Sequence, residues 1–293
     1  MKSAILIHLL DWEHHENEYI LDKGITFINL KTHPVGKLYN KMCETDNIDD
    51  GSPYFFRTGL ILYDDTDTDY SFFPSTSHYS LSTTFINLLT IIYKGTLGHC
   101  RVIISKDNFK TSHFTYELYD SLSDFTDDLI VYHSKFDVKS MKILDNVWKN
   151  LKSTHISSTK KSRIENVLNF FYFSWHTLSL ELTGISISIV LETLFSPHSN
   201  SELTHQIAYN VASFTGKEKQ EKIELYKYVK KYYSVRSKLV HGETIKEEEL
   251  NLNPPFFKFI CEIILKIISD DNLIHVFNDN QKRNEFMQDK LFQ

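Results

Sequence analysis

Tyr232-Tyr233-Ser234-Val235-Arg236-Ser237-Lys238-Leu239-Val240-His241-Gly242 closes the clearest helical pattern in this 293-residue chain. Leu225, Val229, Tyr232, Arg236 and Leu239 follow one another at spacings of four, three, four and three, the seam of an amphipathic helix. Lys227, Lys230, Lys231, Ser234 and Lys238 fall mostly on the other side. Gly242 is placed as a C-terminal cap, so a helix is predicted from about Lys219 to His241. Arg236 therefore stands in the apolar stripe and not among the lysines. A guanidinium keeps its charge, and burying it unpaired costs on the order of several kcal/mol. It must meet a carboxylate, a phosphate or a wet cleft between helices. His241 comes five residues later, about 140° further round an ideal helix. It approaches Arg236 only if the helix ends there and Gly242 turns the chain. A permanent cation beside a group that gains and loses a proton is a minimal kit for phosphodiester chemistry. An interhelical salt bridge from Arg236 to Glu192, with His241 as a favourable charge at a helix end, stays equally open.

The sequence upstream of this helix is helical too. Ile164, Leu168, Phe171, Trp175, Leu178 and Leu182 form one stripe at steps of three and four. Leu182–Phe195 follows. Its Ile185-Ser186-Ile187-Ser188-Ile189 alternates like a strand, but its length and helical flanks predict helix. After a break at Pro197–Asn200, Ser201-Glu202 opens a third helix ending near Gly216. Pro254-Pro255 starts another over Phe256–Ser269, and Asn272–Phe292 is read as a short tail helix.

The first 150 residues read as mixed α and β. Ala4–Leu10, Ile25–Leu30, Phe55–Leu62 and Cys100–Ser105 look like strands, and Thr83–Tyr93 and Ile143–Leu151 look helical. Lys152–Arg163, rich in Ser, Thr and Lys, is the expected linker. The fold class expected is thus an α+β domain over 1–150 followed by an all-α helical bundle over 160–293.

Composition bounds the rest. Hydrophobic residues make up 41% and include 21 Phe and 16 Tyr, enough for a sizeable core. Cys43, Cys100 and Cys261 show no paired spacing, so neither a disulfide framework nor a zinc knuckle is suggested, and a cytoplasmic setting is expected. Ala4–Leu10 runs straight into Asp11, Glu13, Glu16 and Glu18, which predicts no signal peptide. Asn166–Leu191 carries Glu181 as its one charge but many polar groups, so buried helices are expected over a membrane span. Net charge is −6, yet Lys217–His241 holds eight Lys/Arg against three acidic residues. A local basic stripe on an acidic protein is compatible with phosphate contact.

Together these residues resemble the R-x4–6-H motif of HEPN domains, and most closely the ApeA-like branch of that superfamily. The likeness covers roughly residues 160–270. It rests on Glu192-Thr193-Leu194-Phe195, on Ser201-Glu202-Leu203, and on the Tyr-rich helix ending in Arg-Ser-x-x-Val-His-Gly. The resemblance implies a metal-independent endoribonuclease without cofactor, often a toxin or effector of antiphage defence (abortive infection). It implies a homodimer that brings two motifs into one composite cleft. By carry-over, His241 is the general base or acid and Arg236 holds the scissile phosphate. Ser237, Glu192 and Tyr233 support them, and Lys231 and Lys238 guide the RNA backbone. A phage-derived trigger acting on the first domain, or an antitoxin partner, is part of the same expectation. The alternative is a non-catalytic HEPN-like RNA-binding or dimerisation module.

Three further signals point to weaker chemistry. Asp64–Asp69 lacks the Gly and distal Glu of a calcium loop. Gly51-Ser52 before Asp65 and Asp67 faintly resembles a nucleotidyltransferase, but Pro53 and a strand-like run follow where a helix is needed. Glu13-His14-His15-Glu16 has no HExxH spacing and reads as a surface run.

Overall fold

The computed structural model describes residues 2–7, 10–13, 16–22, 24–45, 58–62, 79–97, 100–105, 107, 109–111, 115–119, 130–131, 134–154, 161–177, 179–196 and 202–291. Gly51-Ser52, Asp64–Asp69, His14, His15, Pro197–Asn200 and Ser201 lie outside these residues. The chain divides into two compact units, with the principal boundary between Asn146 and Val147.

The first unit is α+β. Its strands are β1 (Lys2–Ile7), β2 (Leu10–Trp12), β3 (Glu18–Asp22), β4 (Ile25–Asn29), β5 (Thr58–Leu62), β6 (Thr96–Leu97), β7 (Cys100–Ser105), β8 (Thr115–Tyr119), β9 (Ile130–Val131) and β10 (Ser134–Phe136). Its helices are α1 (Pro34–Thr45), α2 (Tyr79–Tyr93) and the start of α3 (Val138–Thr154). Six strands form one antiparallel sheet in the order β3-β4-β5-β1-β7-β8. β1 sits inside it, with Ile5 opposite Leu60 on one side and Val102 on the other. β2 pairs in parallel with β10, and β6 with β9. Residues Ile25 to Ile28 are all buried, as an unbroken apolar and β-branched run requires. Phe27 stacks on Phe136 at 4.8 Å and meets Phe85 edge-on at 5.9 Å, which centres the core on β4. Tyr19 on β3 donates its hydroxyl to Asp145 on α3.

The second unit is helical: α4 (Arg163–His176), α5 (Leu180–Phe195), α6 (Leu203–Thr215), α7 (Lys219–His241), α8 (Glu247–Leu250), α9 (Asn253–Ile268), α10 (Asp271–Asn278) and α11 (Asn280–Leu291). α5 is its central element. Thr183, Gly184, Ile187, Ser188, Val190, Leu191, Leu194 and Phe195 are buried, a helical period that overrides the local Ile-Ser alternation. α7 approaches α5 closely because Gly184 has no side chain; a Cβ there would lie 3.3 Å from Leu239 and 3.6 Å from the Tyr232 hydroxyl. Tyr232 donates to the Gly184 carbonyl at 3.1 Å, and its ring stacks on Phe256 of α9 at 3.6 Å. Asn253 ties the start of α9 to the Leu180 carbonyl at 2.8 Å. Phe195, Phe214 and Phe277 close the other end of the core.

Three sequence expectations change. The Lys152–Arg163 linker is helical as far as Thr154, which is buried and donates to the Leu151 carbonyl; its composition also concealed a cap. Ser162 accepts from the Glu165 amide while the Glu165 carboxylate accepts from the Ser162 amide, a capping box that starts α4. The Ile164–Leu182 stripe is two helices: α4 stops at His176, and Leu182 belongs to α5, where it is exposed. The tail is also two helices. Asp279 breaks it and accepts from the Lys282 amide at 3.0 Å, in N-cap fashion.

Candidate active site

The site lies where α7 ends. The amide of Gly242 donates to the Leu239 carbonyl at 3.2 Å, and that of Glu243 to the Lys238 carbonyl at 2.9 Å. Gly242 has φ +70, so this is a complete Schellman turn, and its left-handed residue is the glycine predicted from the sequence. His241 is the last helical residue and is exposed.

Arg236 lies one and a half turns earlier at the edge of the buried face. Val229, Tyr232, Tyr233 and Val235 are the residues α7 buries fully. The Arg236 side chain retains 31% of its exposure, its Nε is covered without a partner, and one terminal nitrogen stands 3.4 Å from Oε1 of Glu192 on α5. Arg236 is therefore less enclosed than a core seam position implies, and its charge is met by the carboxylate proposed from the sequence. Tyr233 is buried between the helices and donates to the Ser188 carbonyl at 3.2 Å. Its phenol is pushed well above the usual value, chiefly by burial and then by Glu192, with Arg236 opposing. Its hydroxyl supports the site from below by fixing α7 on α5.

The expectation that Gly242 folds His241 back onto Arg236 is not met. The helix continues through His241 and the chain turns only afterwards. The two residues stay about 140° apart in azimuth and about 7.5 Å apart along the axis. No hydrogen bond joins them among the described residues. Ser237 and Lys231 are exposed on the same helix. Lys238, expected to guide RNA, has its ammonium held at 2.6 Å by Glu249 of α8, which also accepts the Lys246 amide. That bond draws the Glu249 carboxyl below its ordinary value.

Sequence reasoning missed the clamp on the end of α5 next to Glu192. The α5 helix ends three residues beyond it, at Phe195. Arg283 of α11, only 3% exposed, donates to the carbonyls of Thr193 (3.2 Å), Leu194 (3.0 Å) and Ser196 (2.9 Å). Arg163 of α4 donates to Thr193 at 2.6 Å and to the Asn280 side chain. Two cations on the carbonyl end of one helix satisfy its orphan acceptors and its dipole. Burial first, and then Arg163, lower the Arg283 pKa to about 10. A charged residue in the polar run Asn280–Lys290 gave no sign of this.

Among the described residues no group of three or more His, Cys, Asp or Glu could hold a metal ion, and no helix is long and apolar enough to cross a membrane. The chain matches no protein-family model, no curated protein and no solved structure.

Proposed function

We propose that the helical unit is a HEPN-like, metal-independent endoribonuclease. In this reading His241 takes the proton from a ribose 2′-OH. The 2′ oxygen attacks the adjacent phosphorus, the bond from phosphorus to the 5′ oxygen breaks, and that oxygen takes a proton from water, giving a 2′,3′-cyclic phosphate and a 5′-hydroxyl. Arg236 holds the phosphate and stabilises the charge gathering on its oxygens. The observation carrying this reading is Arg236 itself, oriented by Glu192 at 3.4 Å yet open enough for an anion to reach. One phosphate cannot easily meet both residues on a single α7, which favours a homodimer whose cleft takes Arg236 and His241 from two copies. The wider role is that of a toxin or effector of antiphage defence. The α+β unit would then sense a phage-derived trigger or receive an antitoxin. Induced expression tests the core of the proposal. The parent chain should stop growth, and purified protein in EDTA should cut RNA to cyclic-phosphate ends. His241→Ala and Arg236→Ala should do neither, and equal toxicity and cutting in either variant would refute it.

The Arg236–Glu192 ion pair also favours a second reading, a non-catalytic RNA-binding or dimerisation module in which the pair only joins α5 to α7. RNA incubated with that protein in EDTA stays intact.

A further inference from the structure

One face of the helical unit is used neither by its core nor by the Arg236–Glu192 pair. On α6, His205 and Tyr209 are exposed one turn apart, Tyr209 at 40%, with ring centroids 6.5 Å apart. Across on α7, Tyr226 bonds the His205 ring at 2.6 Å and meets it edge-on at 5.5 Å. That contact turns the His205 ring and holds it in place. Lys230 sets its ammonium 5.5 Å from the centre of the Tyr226 ring. Three rings, two of them fixed by the His205–Tyr226 bond, and a cation thus share one end of this face.

The face continues along α7. Ile223, Tyr226, Lys230, Ser234, Ser237 and His241 recur at steps of three and four, and all but the partly covered Tyr226 are exposed. From Tyr226 to His241 the track runs about 22 Å. Between Lys230 and His241 it presents only small hydroxyl side chains. Of the α7 carboxylates, Glu221 lies well round the helix from the track, while Glu224 shares the flank of Lys227 and Lys231. Glu221 takes the Lys217 amide at 2.7 Å and Glu224 takes Gln220 at 2.9 Å. Lys227 and Lys231 flank the track on one side. A surface whose aromatic rings stand open beside ammonium groups, along a track that itself carries no carboxylate, is complementary to unstacked bases on a phosphate backbone.

We propose that this face docks single-stranded RNA. A base stacks on Tyr209 and His205, Lys230 meets a phosphate, and the strand passes over Ser234 and Ser237 to His241. The assignment rests on the ribonuclease reading for its destination but not for its binding surface. It makes unpaired RNA the substrate class, since a duplex keeps its bases stacked away from such rings.

The test is binding of a fluorescein-labelled 2′-O-methyl 12-mer of uridine, which lacks the attacking hydroxyl and cannot be cut. It is read by anisotropy on the full chain at several salt concentrations. Tyr209→Ala should weaken binding at least about five-fold without changing its salt dependence, and Tyr209→Phe should restore it. Lys230→Ala should lower the slope of log affinity against log salt by about 0.7, the share of one phosphate contact on a single strand. The same 12-mer in a duplex should bind clearly more weakly. Absence of binding by the parent chain overturns the proposal. So does affinity within two-fold of the parent in both alanine variants, or equal affinity for duplex. Cutting of ordinary RNA, read separately, keeps the two ideas apart. Stripe-dependent binding without any cutting leaves the docking face and removes the nuclease. Cutting with unaltered binding in the variants does the reverse.

Discussion

Replacing Glu192 by Gln, Arg236 by Gln, and both together separates the two readings of the ion pair. At 3.4 Å the charges attract by about 5 kcal/mol if the surroundings respond with an effective dielectric constant of about 20. Both side chains keep a quarter to a third of their exposure, so water and the desolvation already suffered remove most of that. A coupling of about 1 kcal/mol remains, and each single substitution should cost about that much. Urea unfolding followed by tryptophan emission suits the measurement, since Trp148 and Trp175 are buried in the helical unit. With a slope of about 2 kcal/mol per molar, each single variant shifts the midpoint down by about 0.5 M, and the double variant costs less than the two singles combined. In the cutting assay, loss of Arg236 should reduce the rate by about 100-fold or more, because charge stabilisation in the transition state goes with it. Glu192→Gln should retain most activity, since it removes only an orienting partner. A coupling below about 0.3 kcal/mol would show that the pair adds nothing measurable to stability. Equal cutting by Arg236→Gln and the parent would reduce the arginine to a bridge between helices.

Other outcomes follow from single contacts. Arg283→Met takes the donor from the Leu194 and Ser196 carbonyls at the end of α5, Thr193 keeping Arg163, and should destabilise the helical unit by about 2 kcal/mol, seen as a fall in urea midpoint. Arg283→Lys should recover part of that, and a loss under about 0.5 kcal/mol in the Met variant would contradict the clamp. Gly242→Ala has open space for its Cβ, so its cost is the left-handed backbone alone, about 1 kcal/mol by thermal melting; Gly242→Asn should cost less. Burial lowers the pKa of His176 below its ordinary 6.5, so the folded state binds its proton later than the unfolded chain does. Stability from this group is full above pH 6.5 and is lost as the pH falls towards the lowered value, and His176→Gln should flatten melting temperature between pH 7 and 5.

The helices of the second unit were legible wherever spacing and punctuation agreed. α7 and its Gly242 cap follow from the Leu225–Leu239 seam and the one residue type at ease with positive φ. α5 needed its length to outvote the Ile-Ser alternation, because five residues cannot separate a buried strand from a buried helix. The break at Asp279 lay where an apolar-striped segment gives way to a polar one, a change that was read as one helix running out of buried face. Strands β3 and β8 were missed because what makes them strands is a neighbour far away in sequence. At the site, the Glu192 partner could be proposed since a covered guanidinium demands one. The azimuth of His241 could not, because it depends on whether the helix stops before or after that residue. The Lys238–Glu249 bond depends on a one-turn helix with no periodicity to read.

The arginine clamp on α5 also bears on when the helical unit comes into being during synthesis. Chains fold from the N-terminus as they emerge, and Arg163 and Asn280 are 117 positions apart. Until Arg283 has left the ribosome, the Leu194 and Ser196 carbonyls lack its guanidinium, while Arg163 and Asn210 can already meet those of Thr193 and Phe195. The turn of helix that orients Arg236 is therefore finished by a residue made 90 positions after Thr193. A nascent chain carries the whole Arg236–His241 motif for some forty residues of translation before the framework around it can lock.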